Sequence, residues 1–186
     1  MCLDDQRYYE ILYGFYPVYW SINFGTFAAH HYILDTAYID IGCDTVDSSI
    51  ANVTHRFIYP QYTKKIYFVE GTIKGQLVFE AVGGATVLTS YRVTLRKMGI
   101  DGTISDIATT GTITVGKTLA YTGAPYYIGD AVVLPFWIDC SVEKKVEDEE
   151  RLFLEIKAVC SNNFCHLLHG NDPSYIDLKV EIPIRG

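Results

Sequence analysis

A chain of 186 residues, 49% hydrophobic and 20% charged, is long and apolar enough to bury one sizeable core, which excludes a disordered tail. Its net charge of −7 is the opposite of the broad basic footprint that a phosphate backbone demands, so nucleic acid is not an expected partner. Aromatic residues make up 14% of the chain, a load that calls for an aromatic-rich β core, for side chains covered by neighbouring subunits, or for both.

The first 60 residues are dense in these aromatics. Asp4 and Asp5 stand where a secretory signal would carry positive charge, so synthesis in a reducing host cytoplasm is expected. Tyr16, Val18, Trp20, Ile22 and Phe24 alternate as a strand would. Residues 1–30 are therefore read as the first strand of the domain or as an arm that packs on a neighbour. The strand is preferred, because an isolated apolar arm invites aggregation. His30-His31 lies beside small alanines and reads as a turn or strand feature rather than a catalytic base.

Further along, Gly71 to Gly75 separates IYFVE from QLVFEAV, and Gly83-Gly84 ends the latter. In 91–97, Tyr91, Val93 and Leu95 alternate with Arg92, Thr94 and Arg96, the pattern of a strand with one buried face. Asp101-Gly102 is a hairpin cue, and Thr112 to Val115 is a short Thr-rich strand. In 132–142, Val132, Leu134, Phe136, Ile138, Cys140 and Val142 share one face. The acidic tract VEDEER is either one helical turn or a solvated hairpin loop. In 151–160 the same face carries Leu152, Leu154, Ile156, Ala158 and Cys160, with Glu155 and Lys157 opposite. The last run, 178–184, contains Pro183, which predicts an edge strand or an outward-pointing backbone at that residue. No run of about 18 apolar residues appears, so no membrane span is expected. Many short strands, Gly-rich turns and no amphipathic helix predict a single all-β domain over 1–186, an antiparallel β-sandwich of jelly-roll type.

The stretch with the most chemistry is CSNNFCHLLHGNDP, residues 160–173. Cys160, Cys165, His166 and His169 carry the atoms a tetrahedral zinc would take. The spacing C-x4-C-H-x2-H is not a paired zinc pattern, however, and adjacent ligands point apart in an extended chain. The competing reading makes Ser161-Asn162-Asn163 a turn and the histidines rim residues. Apart from a structural zinc in the first reading, no cofactor is expected. Cys2, Cys43 and Cys140 complete an odd set of cysteines without a framework spacing, and all five are read mostly as buried thiols. No G-x-S-x-G, phosphate-binding glycine loop or H-E-x-x-H occurs. The chain is therefore read as not an enzyme, with a metal-dependent enzyme built on 160–172 as the third alternative. Tyr59, Tyr62, Tyr121, Tyr126 and Tyr127 fall near Pro or Gly in loop-like segments, where exposed Tyr suits a sugar or a protein surface equally.

The second half also resembles the β-sandwich structural proteins in virions of tailed bacteriophages and archaeal tailed viruses. The matching residues are Lys97 with Asp101-Gly102, Glu150-Arg151-Leu152 with Leu154 and Ile156, and His169, Asp172, Pro173 and Ile182-Pro183. The resemblance covers roughly residues 91–184 and rests on strand and turn chemistry. It implies a non-enzymatic virion structural protein, a capsid-surface decoration, neck or tail component, whose partners are other virion proteins and copies of itself. The expected interface residues are Tyr16, Trp20, Tyr59, Tyr62, Tyr126 and Tyr127. The alternative is a carbohydrate- or receptor-binding sandwich.

Overall fold

The computed structural model describes residues 8–15, 29–35, 54–58, 66–81, 83–121, 131–162, 164–168, 171–172, 175–176 and 179–185. These form thirteen strands in chain order: β1 (Tyr8–Phe15), β2 (Ala29–Asp35), β3 (Thr54–Ile58), β4 (Tyr67–Ala81), β5 (Thr86–Met98), β6 (Ile104–Thr109), β7 (Ile113–Leu119), β8 (Val132–Val146), β9 (Arg151–Cys160), β10 (Cys165–Leu168), β11 (Asn171–Asp172), β12 (Tyr175–Ile176) and β13 (Lys179–Arg185). No helix occurs among the described residues, and none there is long and apolar enough to cross a membrane.

Two long strands organise the molecule. β4 pairs with β8 along one edge and with β13 and then β10 along the other. β5 pairs with β9 along one edge and with β6 and β7 along the other. These groups are the two layers of an antiparallel β-sandwich, as the alternation predicts. The order β13-β1-β2-β3-β9 carries the hydrogen bonding from one layer into the other. β2 and β3 are the one parallel pair among the described strands.

The core lies between the layers. Ile73, Leu77 and Phe79 of β4 meet Phe136 and Ile138 of β8, with Val93 and Leu95 of β5 and Leu154 and Ile156 of β9 opposite. Each such side chain, fully buried, contributes roughly 1.5–3 kcal/mol. The Asp-Gly hairpin forms as expected. Asp101 accepts from the Thr103 amide at 2.9 Å and from its hydroxyl at 2.8 Å, and Gly102 takes φ 82°. Those two donors hold the exposed Asp101 carboxyl below the usual carboxylate range. The acidic tract resolves as the hairpin between β8 and β9. There Glu150 accepts from the Glu147 amide, and Glu149 takes φ 65° at the tip.

Three expectations are corrected. Gly71 to Gly75 is no turn, because β4 runs through it unbroken. Gly71, at φ 117°, lies inside the strand and faces a bulge in β8, where residues 141–143 stand against the single residue between Val69 and Gly71. β9 is buried on both faces over its first half: Phe153 and Glu155 are covered along with Leu152 and Leu154, and the outer face opens to solvent at Lys157. Pro183 does not mark an edge, because β13 lies between β4 and β1. Its missing N–H falls where the ladder with β4 is already interrupted, between Glu181 opposite Lys74 and Ile184 opposite Val69.

Gly75 explains its own lack of a side chain. It sits in register with Phe136, and a Cβ there would stand 2.3 Å from the ring and 2.5 Å from the Lys179 carbonyl. Gly75→Ala is expected to cost about 1–3 kcal/mol through overpacking, read as a lower urea midpoint with an unchanged slope.

Candidate functional site

Cys160 closes β9 opposite Leu88 of β5, and Cys165 opens β10 opposite Ala81 of β4. The turn between them thus carries the chain from one layer to the other. It is tied to the parallel crossing between β4 and β5. Ser161 donates its amide to Val87 O and accepts from Val87 N, both at 2.9 Å. Asn162 donates to Ala85 O at 2.9 Å and accepts from the Phe164 amide at 3.0 Å. The Phe164 ring lies on Gly83 and Gly84, where a Cβ at Gly84 would meet it at 2.6 Å. This is the Ser-Asn turn of the second sequence reading.

Both thiols enter the core, Cys165 with no exposed surface. The Cys165 thiol donates a hydrogen bond to Cys160, which with burial pushes the Cys165 titration far up and draws that of Cys160 down. His166 is also buried but lies on the other face of β10, opposite Glu80, and His169 is outside the described residues. Of the four candidate metal ligands the structure brings together the two cysteines. Among the described residues no three His, Cys, Asp or Glu side chains converge.

A second feature lies on the outside of the first layer. β8 turns Phe136, Ile138 and Cys140 inward, which leaves Val133, Pro135, Trp137 and Asp139 facing out. Trp137 is 61% exposed and Val133 55%. Trp137 stands opposite Lys74, which stands opposite Glu181 of β13, while Asp139 stands opposite Thr72 and Pro135 opposite Gln76. Within the irregularity that faces Gly71, Val142 is 67% exposed, against the expectation that it continues the buried face. Ser141 and Glu143 are exposed with it, and the alternation resumes in the same phase at the buried Val146.

β4 is the only strand paired with β8 among the described residues, yet the other edge of β8 is not bare. Pro135 has no N–H, and its carbonyl accepts from the buried Tyr91 hydroxyl at 3.3 Å. The Lys145 carbonyl accepts from Lys97 Nζ at 2.7 Å. Burial raises the Tyr91 titration, which keeps that hydroxyl a donor. Side chains of the opposite layer thus take up two carbonyls of β8, one near each end of the strand. What β8 presents outward is a side-chain face.

The basic cluster Arg92, Arg96 and Lys97 is divided by its strand. Lys97 pairs with Glu150 at 2.8 Å, while Arg96 bridges Asp106 at 3.0 Å and Glu155 at 3.3 Å on the outer face of the second layer. Arg92 stands opposite Lys157. Arg96→Met leaves the buried Glu155 without that cation and is expected to cost about 2–4 kcal/mol at neutral pH. The loss is read as a lower urea midpoint with an unchanged slope.

The six aromatic residues expected at an interface, Tyr16, Trp20, Tyr59, Tyr62, Tyr126 and Tyr127, lie outside the described residues. Trp137 was not among them. Its signal is present in the sequence: it is a large apolar residue on the phase of 132–142 that the alternation assigns to solvent.

No protein-family model matches the chain, and no curated protein matches it by sequence. Among solved structures it is similar to a CocE/NonD family hydrolase of Staphylococcus aureus. In one crystal structure the TM-score is 0.59 at 13% identity, over 97% of this chain and 37% of the hydrolase. A second crystal structure of a CocE/NonD family hydrolase of Staphylococcus aureus gives 0.58 at 12% identity, over 96% and 37%. The chain thus spans little more than a third of the hydrolase, and the likeness establishes the fold alone. A structure of infectious bursal disease virus aligns over 76% of the chain and 36% of its own at 15% identity, with a TM-score of 0.27, too low to bear on the fold.

Proposed function

We propose that this chain is a non-enzymatic structural component of a virion that assembles with copies of itself through the outer face of β8 and β4. The observation that carries the reading is Trp137, exposed at 61% on a regular strand whose core side is complete. Trp is among the residues that most often dominate an interface when truncated. The surrounding charges are of both signs and suit a two-fold contact. With Trp137 near the axis, Lys74 of one copy lies against Asp139 of the other. A stable contact of this kind buries about 1,200–2,000 Å² in total. The resemblance of residues 91–184 to tailed-virus sandwich proteins supplies the biological setting.

The hydrolase likeness favours a second reading, in which the same sandwich is an accessory unit packed on a catalytic unit. The Trp137 face would then meet that unit instead of a second copy.

Native mass spectrometry decides first. The chain is expected as a defined oligomer at micromolar concentration, and Trp137→Ser is expected to shift it to monomer without changing its circular dichroism. A wild-type monomer that sticks to polysaccharide gels through Trp137 would replace assembly with sugar binding. A monomer that recruits ester-hydrolysing activity would favour the second reading.

A further inference from the structure

Charges on the outer face of the second layer are balanced at one end and not at the other. At the first end, Arg96 holds two carboxylates, Asp106 at 3.0 Å and Glu155 at 3.3 Å. Further back along β5, Arg92 stands directly opposite Lys157 of β9. Like charges set opposite each other across an antiparallel pair repel. Arg92 is half-buried and Lys157 exposed, and neither forms an ion pair among the described residues. The opposite imbalance occurs at the β8–β9 hairpin. Glu147 has Lys145 at 2.9 Å, and Glu150 has Lys97 at 2.8 Å. Between them Asp148 and Glu149 are exposed at the tip, and neither pairs with a cation among the described residues. The tip cannot reach the basic pair of its own chain. Lys157 lies six residues beyond Arg151 on β9, which at about 3.3 Å per residue is about 20 Å.

We propose that Asp148 and Glu149 at the hairpin tip of one copy dock on the Arg92–Lys157 pair of the next, as a second contact between copies of this chain. The two carboxylates supply the counter-charge that the basic pair lacks. The planar Arg92 guanidinium offers one of them a two-pronged partner, and Lys157 offers the other a point charge. Face and tip are different surfaces, so the contact runs head to tail and repeats into a ring or a chain of copies. It lies on the side of the sandwich away from Trp137, and it does not rest on the contact proposed for that face. An exposed pairing of this kind is screened by salt, and it gains strength where copies are already arrayed close together.

The test uses full-length chains that all carry Trp137→Ser, so that only this contact is read. Isotopically light and heavy batches are mixed at low ionic strength, and a zero-length carbodiimide reagent joins amines to carboxyls in direct contact. The expected product links Lys157 of a light chain to Asp148 or Glu149 of a heavy one, and the reverse, and added salt should suppress it several-fold. Charge exchange is the second arm. The Arg92→Glu, Lys157→Glu chain and the Asp148→Lys, Glu149→Lys chain should each sediment as monomers alone and associate when mixed, because each supplies what the other has lost. Circular dichroism checks that each variant is folded. The proposal is overturned if Lys157 links to no carboxyl of another chain or chiefly to carboxyls outside the tip. It is also overturned if the two folded, charge-reversed chains mix without associating. Protection of Lys157 by inorganic phosphate, with no link formed, would assign the pair to a free anion instead. Failure here leaves the β8–β4 contact as it stands, and failure of that contact leaves this test unchanged.

Discussion

Every backbone donor and acceptor of a long central strand must be matched on both edges, and that demand shapes this molecule. β4 and β5 are the longest strands with partners on both sides, and neither is matched by one strand per edge. β13 and β10 share one edge of β4, and β6 and β7 share one edge of β5. The gap in the β13 ladder at Pro183 faces the stretch of β4 that holds Gly71. The order β13-β1-β2-β3-β9 carries the sheet from one layer into the other, and the apolar faces of β4 and β5 enclose one core.

Periodicity shows which strands exist, and it does so well for 91–97, 132–140 and 178–184. It fails where neighbours, not the strand itself, decide burial. β9 reads as half-buried because Glu155 and Lys157 alternate with apolar residues. Arg96 then supplies the counter-charge that lets Glu155 be covered. Gly71 and Gly75 read as breakers because glycine is ambiguous in isolation. The reason for Gly75 is the ring of Phe136, sixty-one positions away and invisible to any local window. The exposure of Val142 was missed for a similar reason, since the bulge at 141–143 shows only in the register of β8 with β4.

The candidate site was legible in part. The 160–173 stretch reads as a metal site or as a turn before the last strand, and the bonds of Ser161 and Asn162 to Val87 and Ala85 belong to a turn. Strand alternation, by contrast, separates Cys165 from His166 and so breaks up the metal set. The exposure of Trp137 is harder to read, because the aromatic residues that stand out in the sequence lie elsewhere. Trp137 lies mid-strand, in a segment whose other aromatic, Phe136, is core.

The way β8 is closed bears on what the molecule can do. An open edge of fifteen residues would recruit any free strand, with affinity from the backbone and little choice of partner. Here Tyr91 and Lys97 reach across from the second layer to take the carbonyls of Pro135 and Lys145. These bonds tie two β8 carbonyls to the opposite layer and so oppose strand addition there. The outward face holds Trp137 opposite Lys74, with Asp139 two residues on. On the proposed reading, contact through that side-chain face rather than through backbone pairing is what keeps assembly selective.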